Sequence, residues 1–420
     1  KRLANARAAL STAQTAIVAV CEAIDASDGW ATLRIKFFDR RREIDKPLQA
    51  NKYGGTTTTG GVNTADGGAD LKGVPKPLCF GRVTNMVPVL ANQFDDIYQV
   101  HDGAVVSITA YDGGVQLGSA GDYPTIAALR AASVPPGRIG TCLALGLFRP
   151  GTHKGQFVLT ADVVEGGTAF QRTAAMIVQR MLARMGITGG ANLNMSTFNG
   201  LATAAPQEVG IFVDGETTGY SAMQQVLDSI GGYIVPNAMS VYELGRLSVP
   251  GTPVGIIELD GILSEDGMLG LTQNPDTDGN LPASRIVLQY AKNWHVHGES
   301  EIGGCAASRQ AFLRTEYRTA QAQNLTTLVK HPLAPEMKIQ TLLVSEADAV
   351  AEAARRLTLY GVRRDVAVVQ IPMEDAAAYV LNSTATLRLP RLGYQAGRNM
   401  VVIGRLDNFA DETVELTLWG

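Results

Sequence analysis

Closely spaced cysteines are missing from this chain. Its four cysteines, Cys21, Cys79, Cys142 and Cys305, lie far apart, and no C-x-x-C occurs. That removes the zinc ribbon and the thioredoxin-like redox site. Disulfides stay open, although so few cysteines in a chain this long are ordinary for a reducing compartment. An uninterrupted apolar run long enough to cross a bilayer is also lacking. Charge is sparse, at 18% of residues with a formal net charge of −4, which argues against a dedicated nucleic-acid binder. Aromatics make up only 6%, few for stacking against sugars. The chain carries no Gly-x-Ser-x-Gly, no Ser-x-x-Lys, no catalytic cysteine signature, no P-loop and no Gly-x-Gly-x-x-Gly after a strand. Nothing selects one of the five histidines for acid–base work.

What is abundant is glycine. The 45 glycines point to many turns and short strands rather than a helical bundle. A length of 420 residues predicts roughly two to four domains, and 45% hydrophobic content suffices for buried cores. The chain begins on Lys1, so the start of translation is expected upstream. Lys1–Cys21 superficially resembles a signal ending in a lipidated cysteine. Arg7, Ser11, Thr12, Gln14 and Thr15 interrupt its apolar part, so an amphipathic helix over 3–26 is the better reading.

Along the chain, alternation of Leu33, Ile35 and Phe37 with polar neighbours predicts a strand within 29–44. The Gly/Thr-rich stretch 53–73 reads as an exposed loop or flexible linker. Short strands are expected at 97–100, 105–111, 115–117 and 157–164, with a short helix at 123–132. Helices follow at 168–185 and 220–230, both closed by glycine. A hairpin spans 233–235 and 240–244, a strand covers 284–290, and 310–331 holds a polar helix or loop. The end of the chain is the most legible part. Ser345 with Asp348 begins a helix that Gly361 stops, with Ala347, Val350, Ala354 and Leu357 at helical spacing. Four strands follow: Val366–Ile371 and Met400–Ile403, apolar on both faces, and the alternating runs around Leu387 and Leu416. The fold class is therefore α+β, predominantly β, in several domains. The expected division is 1–74, 75–167, 168–283 and 284–420, with a helix at 346–360 in the last.

Chemistry has few candidates. Asn274-Pro275-Asp276-Thr277-Asp278-Gly279 begins as a calcium loop does, but Arg285 stands where the bidentate Glu belongs, so a polar turn is favoured. His295 and His297 share a strand face and could ligate zinc with Cys305, yet no third ligand has a fixed spacing. Arg40-Arg41-Arg42, with Arg34 and Lys36, is the densest basic run; Asp39, Glu43 and Asp45 dilute it to a solvated edge or subunit salt bridges. The pairs Glu265/Asp266 and Glu374/Asp375 do not define a glycosidase site. No catalytic, metal or cofactor-binding residue is assigned.

Taken together, four passages resemble the baseplate hub or tail-tip proteins of long-tailed bacteriophages and of Mu-like or D3112-like prophages. They are Pro77–Leu90 with Tyr98–Gly103, Thr217–Pro250, Ser284–Asn293, and Ala347–Gly361 with Arg391–Gly420. The likeness runs over most of the chain from about Pro75. It implies tail-tube-like barrel or sandwich domains, each flanked by a helix, and a non-enzymatic virion protein at the distal end of a tail, assembled in the host cytoplasm. It implies a homotrimer with two tube-like domains per subunit, adapting a sixfold tube to a threefold tip. Expected partners are tail-tube or distal tail proteins, tip or central fibre proteins and the tape-measure protein, with DNA passing through the lumen and no small-molecule substrate. Some relatives carry clustered cysteines for an iron–sulfur centre; the separated cysteines here offer none. A receptor- or carbohydrate-binding tail module and a peptidoglycan hydrolase are the alternatives.

Overall fold

The computed structural model describes residues 20–25, 34–38, 40–58, 65–151, 157–237, 239–263 and 270–420. Within them the chain divides into two compact units built from non-contiguous segments. Unit 1 comprises 1–244, 290–318 and 341–345; unit 2 comprises 245–289, 319–340 and 346–420. The segment 284–420, expected as one domain, thus contributes to both.

In unit 1, β1 (Val20–Asp25) pairs antiparallel with β2 (Arg34–Phe38). The helix expected over 3–26 therefore ends differently: 20–25 is strand, and 3–19 lie outside the described residues. Two five-stranded sheets follow. Their strands are β3 (Leu78–Met86), β4 (Val89–Asn92), β5 (Ile97–Gln99), β6 (Ser107–Asp112), β7 (Val115–Gln116), β8 (Gly118–Asp122), β9 (Arg138–Cys142), β10 (Leu147–Pro150), β11 (Leu159–Val164) and β12 (Gly210–Val213). The sheet orders are β4-β5-β10-β9-β8 and β12-β3-β11-β6-β7. Cys79, Val83, Ile108, Ala161 and Val163 from one sheet meet Ile139 and Phe148 from the other in a shared core, so the two sheets form a sandwich. A second core lies on the outer face of the first sheet. There Tyr53, Ala91, Ile97, Leu147 and Leu129 of α1 (Ile126–Ala131) pack together. Tyr53 is fully buried and its hydroxyl donates to Gln99 Oε1 at 2.6 Å, so the start of the 53–73 stretch is tied into the core rather than exposed.

Strand β3 needs glycine where it meets β12. Gly81 has φ +73°, and a Cβ there would lie 2.0 Å from the Val209 carbonyl oxygen. The opposing Gly210 is equally crowded against Arg82, so the two backbones approach closely only because neither position has a side chain. The rest of unit 1 is helical: α2 (Ala174–Arg184), α3 (Met195–Ala204) and α4 (Gly219–Asp228), with the pair β13 (Gly232–Pro236) and β14 (Tyr242–Arg246). Helix α2 buries Ala174, Ile177, Val178, Met181 and Leu182, a stripe at helical spacing, and packs against α3 and α4. Thr218 caps α4 by accepting from Ser221 N at 3.2 Å. The sequence reading missed α3, whose Gly200, Thr197 and Thr203 weaken any helical signal. A short helix α5 (Ala307–Leu313) completes the unit.

Unit 2 is dominated by a six-stranded sheet of β15 (Pro253–Glu258), β16 (Gly270–Gln273), β20 (Asp365–Pro372), β21 (Thr384–Arg388), β22 (Arg398–Asn408) and β23 (Thr413–Trp419). Its order is β15-β21-β22-β23-β20-β16. A smaller sheet orders β17 (Arg285–Tyr290), β18 (Arg318–Gln323) and β19 (Glu336–Gln340) as β18-β17-β19. The helices are α6 (Leu325–Lys330) and α7 (Glu346–Tyr360). All six strands of the large sheet reach one core, through Ile257, Leu271, Val369, Leu387, Met400, Val402, Leu416 and Leu418 among others, which is the packing of a rolled, barrel-like sheet. The expected helix and four strands are all present here. The apolar runs 366–371 and 400–403 are interior strands whose partners lie in the same chain, so they do not call for pairing between subunits.

Candidate functional site

The sequence-level chemistry resolves into structure. Asn274 Oδ1 accepts from Arg364 N at 2.7 Å, and Asp276 Oδ2 accepts from the Trp419 indole at 3.0 Å. The calcium-like segment is therefore a turn that ties down the end of β23. Arg40 donates to Glu43 at 3.0 Å and lies 5.0 Å over the Tyr242 ring, so it packs against unit 1, while Arg41 lies over Tyr220 and stays exposed. His295 and His297 are brought together with ring centroids 4.8 Å apart. His297 is buried against Asn85, and Asn293 holds that corner by donating to the carbonyls of Phe312 and Leu313. Burial, and then the neighbouring His295, push the His297 imidazole below its ordinary pKa. Among the described residues, no three His, Cys, Asp or Glu side chains are grouped to hold a metal ion. Cys79 and Cys142 are buried and free, and Cys305 is half-buried and free. Glu265 and Asp266 lie outside the described residues, and Glu374 and Asp375 sit in a single 3-10 turn.

A cavity of about 580 Å³ in unit 1 is lined by Gln49, Asn51, Lys76, Asp102 and Arg184. Its charges satisfy one another. Asp102 accepts from Asn51 at 2.8 Å, from Gln49 at 3.2 Å and from Arg184, and Lys76 pairs with Asp66 at 3.6 Å. Burial alone would raise the Asp102 carboxyl, but these donors hold it below the usual carboxylate range. Such a closed network positions loops and leaves no group poised for chemistry.

The unsatisfied features of unit 2 are of another kind. Strand β15 stands at one end of the six-stranded sheet and β16 at the other. An end strand offers a row of backbone N–H and C=O groups to another chain. On β15 the residues Val254 and Ile256 are exposed, and so are Leu259 and Leu263 just beyond it. Helix α6 and the turn after it expose a second apolar group, Leu325, Leu328, Val329 and Leu333, of which Val329 is 80% and Leu333 85% exposed. A third lies along the outer half of β22 and just past its end, where Ile403, Leu406 and Phe409 are exposed. Isolated exposed leucines are ordinary, but runs of them on consecutive turns mark surfaces built for protein contacts. The sequence reading missed β15 and β16 because glycines punctuate both; α6 falls inside the stretch 310–331 read as a polar helix or loop, its six residues carrying too little periodicity to bound it. Exposed aromatics are few: Phe94, Phe170 and Phe409 stand on separate segments, with no two forming a stacking platform among the described residues.

No protein-family model matches the chain, and no curated protein sequence matches it. Solved structures do. A chain from the virion of a native gene transfer agent particle is similar at a TM-score of 0.51 and 14% identity, covering 90% of this chain and 91% of that one. The tail protein of Neisseria meningitidis MC58 is similar at 0.33 and 12% identity, over 63% of this chain and 74% of that one. The 43 kDa tail protein of prophage MuSo2 from Shewanella oneidensis stands at 0.34 and 11%, over 62% of this chain and 74% of that one. What the first likeness shows is the fold: a multi-domain, predominantly β architecture shared with a virion component along nearly the whole chain.

Proposed function

We propose that the chain is a structural component of a phage-type tail or baseplate, and in its finer form the hub at the distal end of the tail. The observation that carries this is the near end-to-end likeness in fold to a virion protein. The free ends of the unit 2 sheet support it. When β15 of one copy meets β16 of the next, a head-to-tail contact repeats around a ring, and a rotation that closes gives a cyclic oligomer. We place that oligomer at a homotrimer with two tube-like domains per subunit, adapting a sixfold tube to a threefold tip. The modular division into 1–74, 75–167, 168–283 and 284–420 belongs to the same proposal. The apolar groups on α6 and β22 are assigned to contacts with neighbouring tail proteins, and the lumen to the tape-measure protein and then DNA. No catalytic role is assigned.

Two measurements test this. Light scattering on purified protein should give three times the chain mass of 44.5 kDa at high concentration. Antibody labelling of particles from the source lysate, viewed by negative-stain electron microscopy, should mark only the tail end distal to the head. Label on fibres, on capsids or on no particle would overturn the tail-hub reading.

A further inference from the structure

Unit 1 carries a groove of about 350 Å³ whose rim is basic and aromatic. Arg82, Lys292, Arg309 and Arg318 line it together with Trp294 and Phe312, and no carboxylate is among its lining residues. In a chain of net charge −4 such a concentration of cations is unexpected. Two of the four are compensated nearby: Arg82 pairs with Glu208 at 3.2 Å, and Arg309 with Asp162 at a long 3.7 Å. The other two are not. Among the described residues Lys292 and Arg318 have no carboxylate in ion-pair range, and their neighbours are rings. Lys292 Nζ lies 4.1 Å from the Trp294 centroid, and the Arg318 guanidinium 5.3 Å from that of Phe312. Arg309 Nε is moreover buried with no acceptor. A buried guanidinium N–H without an acceptor is costly, and cations held by ring faces alone keep most of their capacity for an anion.

Parts of the groove wall are held in place. Lys292 sits on a backbone pinned by Thr84, whose hydroxyl donates to the Lys292 carbonyl at 3.0 Å. Trp294 is braced edge-on by Phe212 at 5.8 Å. The aromatic wall and the backbone that carries Lys292 are therefore held in place before a ligand arrives, which lowers the entropy lost on binding.

We propose that this groove binds the phosphate group of a small phosphorylated ring compound, a nucleotide or a sugar phosphate. Lys292 and Arg318 hold the phosphate oxygens, and Trp294 and Phe312 wall the attached ring. The volume suits one phosphate and one ring. No bond is made or broken; the site is one of recognition.

Calorimetry on the full chain with adenosine monophosphate, glucose 1-phosphate and inorganic phosphate tests this. At least one organic phosphate should bind saturably and more tightly than inorganic phosphate. Which of the two binds better identifies the source of the phosphate. Lys292→Gln and Arg318→Gln should each weaken that binding by about tenfold or more, the effect of one lost charge-assisted hydrogen bond. Arg285→Gln, in the other unit, should leave it unchanged. Absence of saturable binding by all three probes would overturn the site, as would affinities unchanged in both groove variants. Inorganic phosphate binding as tightly as both organic compounds would overturn the role of the aromatic wall.

Discussion

His101 shows what one buried side chain does to the pH response. Its Nδ1 accepts from Cys79 N at 2.9 Å, so the ring must be neutral at that nitrogen. Burial, and then Arg184, push its pKa down to about 4 from an ordinary 6.5. Between those values the unfolded chain holds more protons than the folded one, so stability present above pH 6.5 is lost as pH falls toward 4. The full loss is about 3 kcal/mol from this one group. His101→Gln keeps an acceptor for Cys79 N and cannot titrate. Urea midpoints at pH 7 and pH 4.5 should therefore differ less in the variant than in the parent. Equal pH dependence in the two proteins would rule out His101 as the source. Sequence flagged none of this: the strands at 97–100 and 105–111 on either side were legible, but the packing of Phe80 edge-on against the imidazole is a tertiary fact.

At the scale of the element, α7 is instructive because its existence was legible and its orientation was not. The spacing of Ala347, Val350, Ala354 and Leu357 pointed inward on hydrophobicity alone. The helix instead buries Ala349, Glu352, Ala353, Arg356 and Leu359, and Val350 is exposed. The two stripes are offset by two residues, a rotation of about 200°. Glu352 explains the inversion. It is fully buried and accepts from Arg355 Nε and Arg356 Nε, both at 2.8 Å, and from Arg246. A hydrophobicity pattern counts these residues as surface, whereas mutual neutralisation lets them line a core. Burial alone would raise the Glu352 carboxyl; the hydrogen bond and charge of Arg355, with Arg246 and Arg356, hold it below the usual range. Glu352→Gln removes the charge on which the arginines converge and should cost about 3–5 kcal/mol at neutral pH by chemical denaturation. Because the folded carboxyl is depressed, its contribution is present above the ordinary Glu pKa of about 4.3 and fades as pH falls through the folded value, so the two proteins should converge in acid. A variant within about 1 kcal/mol of the parent at neutral pH would show the cluster to be no better than a surface ion pair.

At the scale of the whole molecule, the proposed assembly turns on β15. Ile256 is 52% exposed on that strand, and Ile256→Lys places a solvated charge where a neighbouring copy would pair. The expected outcome is a monomer with unchanged circular dichroism and unchanged melting temperature. A variant that still scatters as a trimer would exclude this edge from the interface.

Local pattern determined where strands and helices begin along much of this chain. Period-two and helical spacing, with glycine stops, marked α4, α7, β20 and β23 within a residue or two of their ends, and α2 at its C-terminal end only, its start lying six residues after 168. The same pattern determined the α+β class, because glycine-punctuated short strands have few other outcomes. What tertiary structure alone decided was partnership. β15 pairs with β21, Pro253 opposite Thr384, and the runs at 366–371 and 400–403 become interior strands only because β16 and β21 flank them. Pairing between strands so distant in sequence depends on which faces find a common core, and a hydrophobic alternation states the face without naming the neighbour. The inward face of α7 was decided the same way, by a carboxylate whose arginine partners include one from another segment, about which the helix's own periodicity is silent.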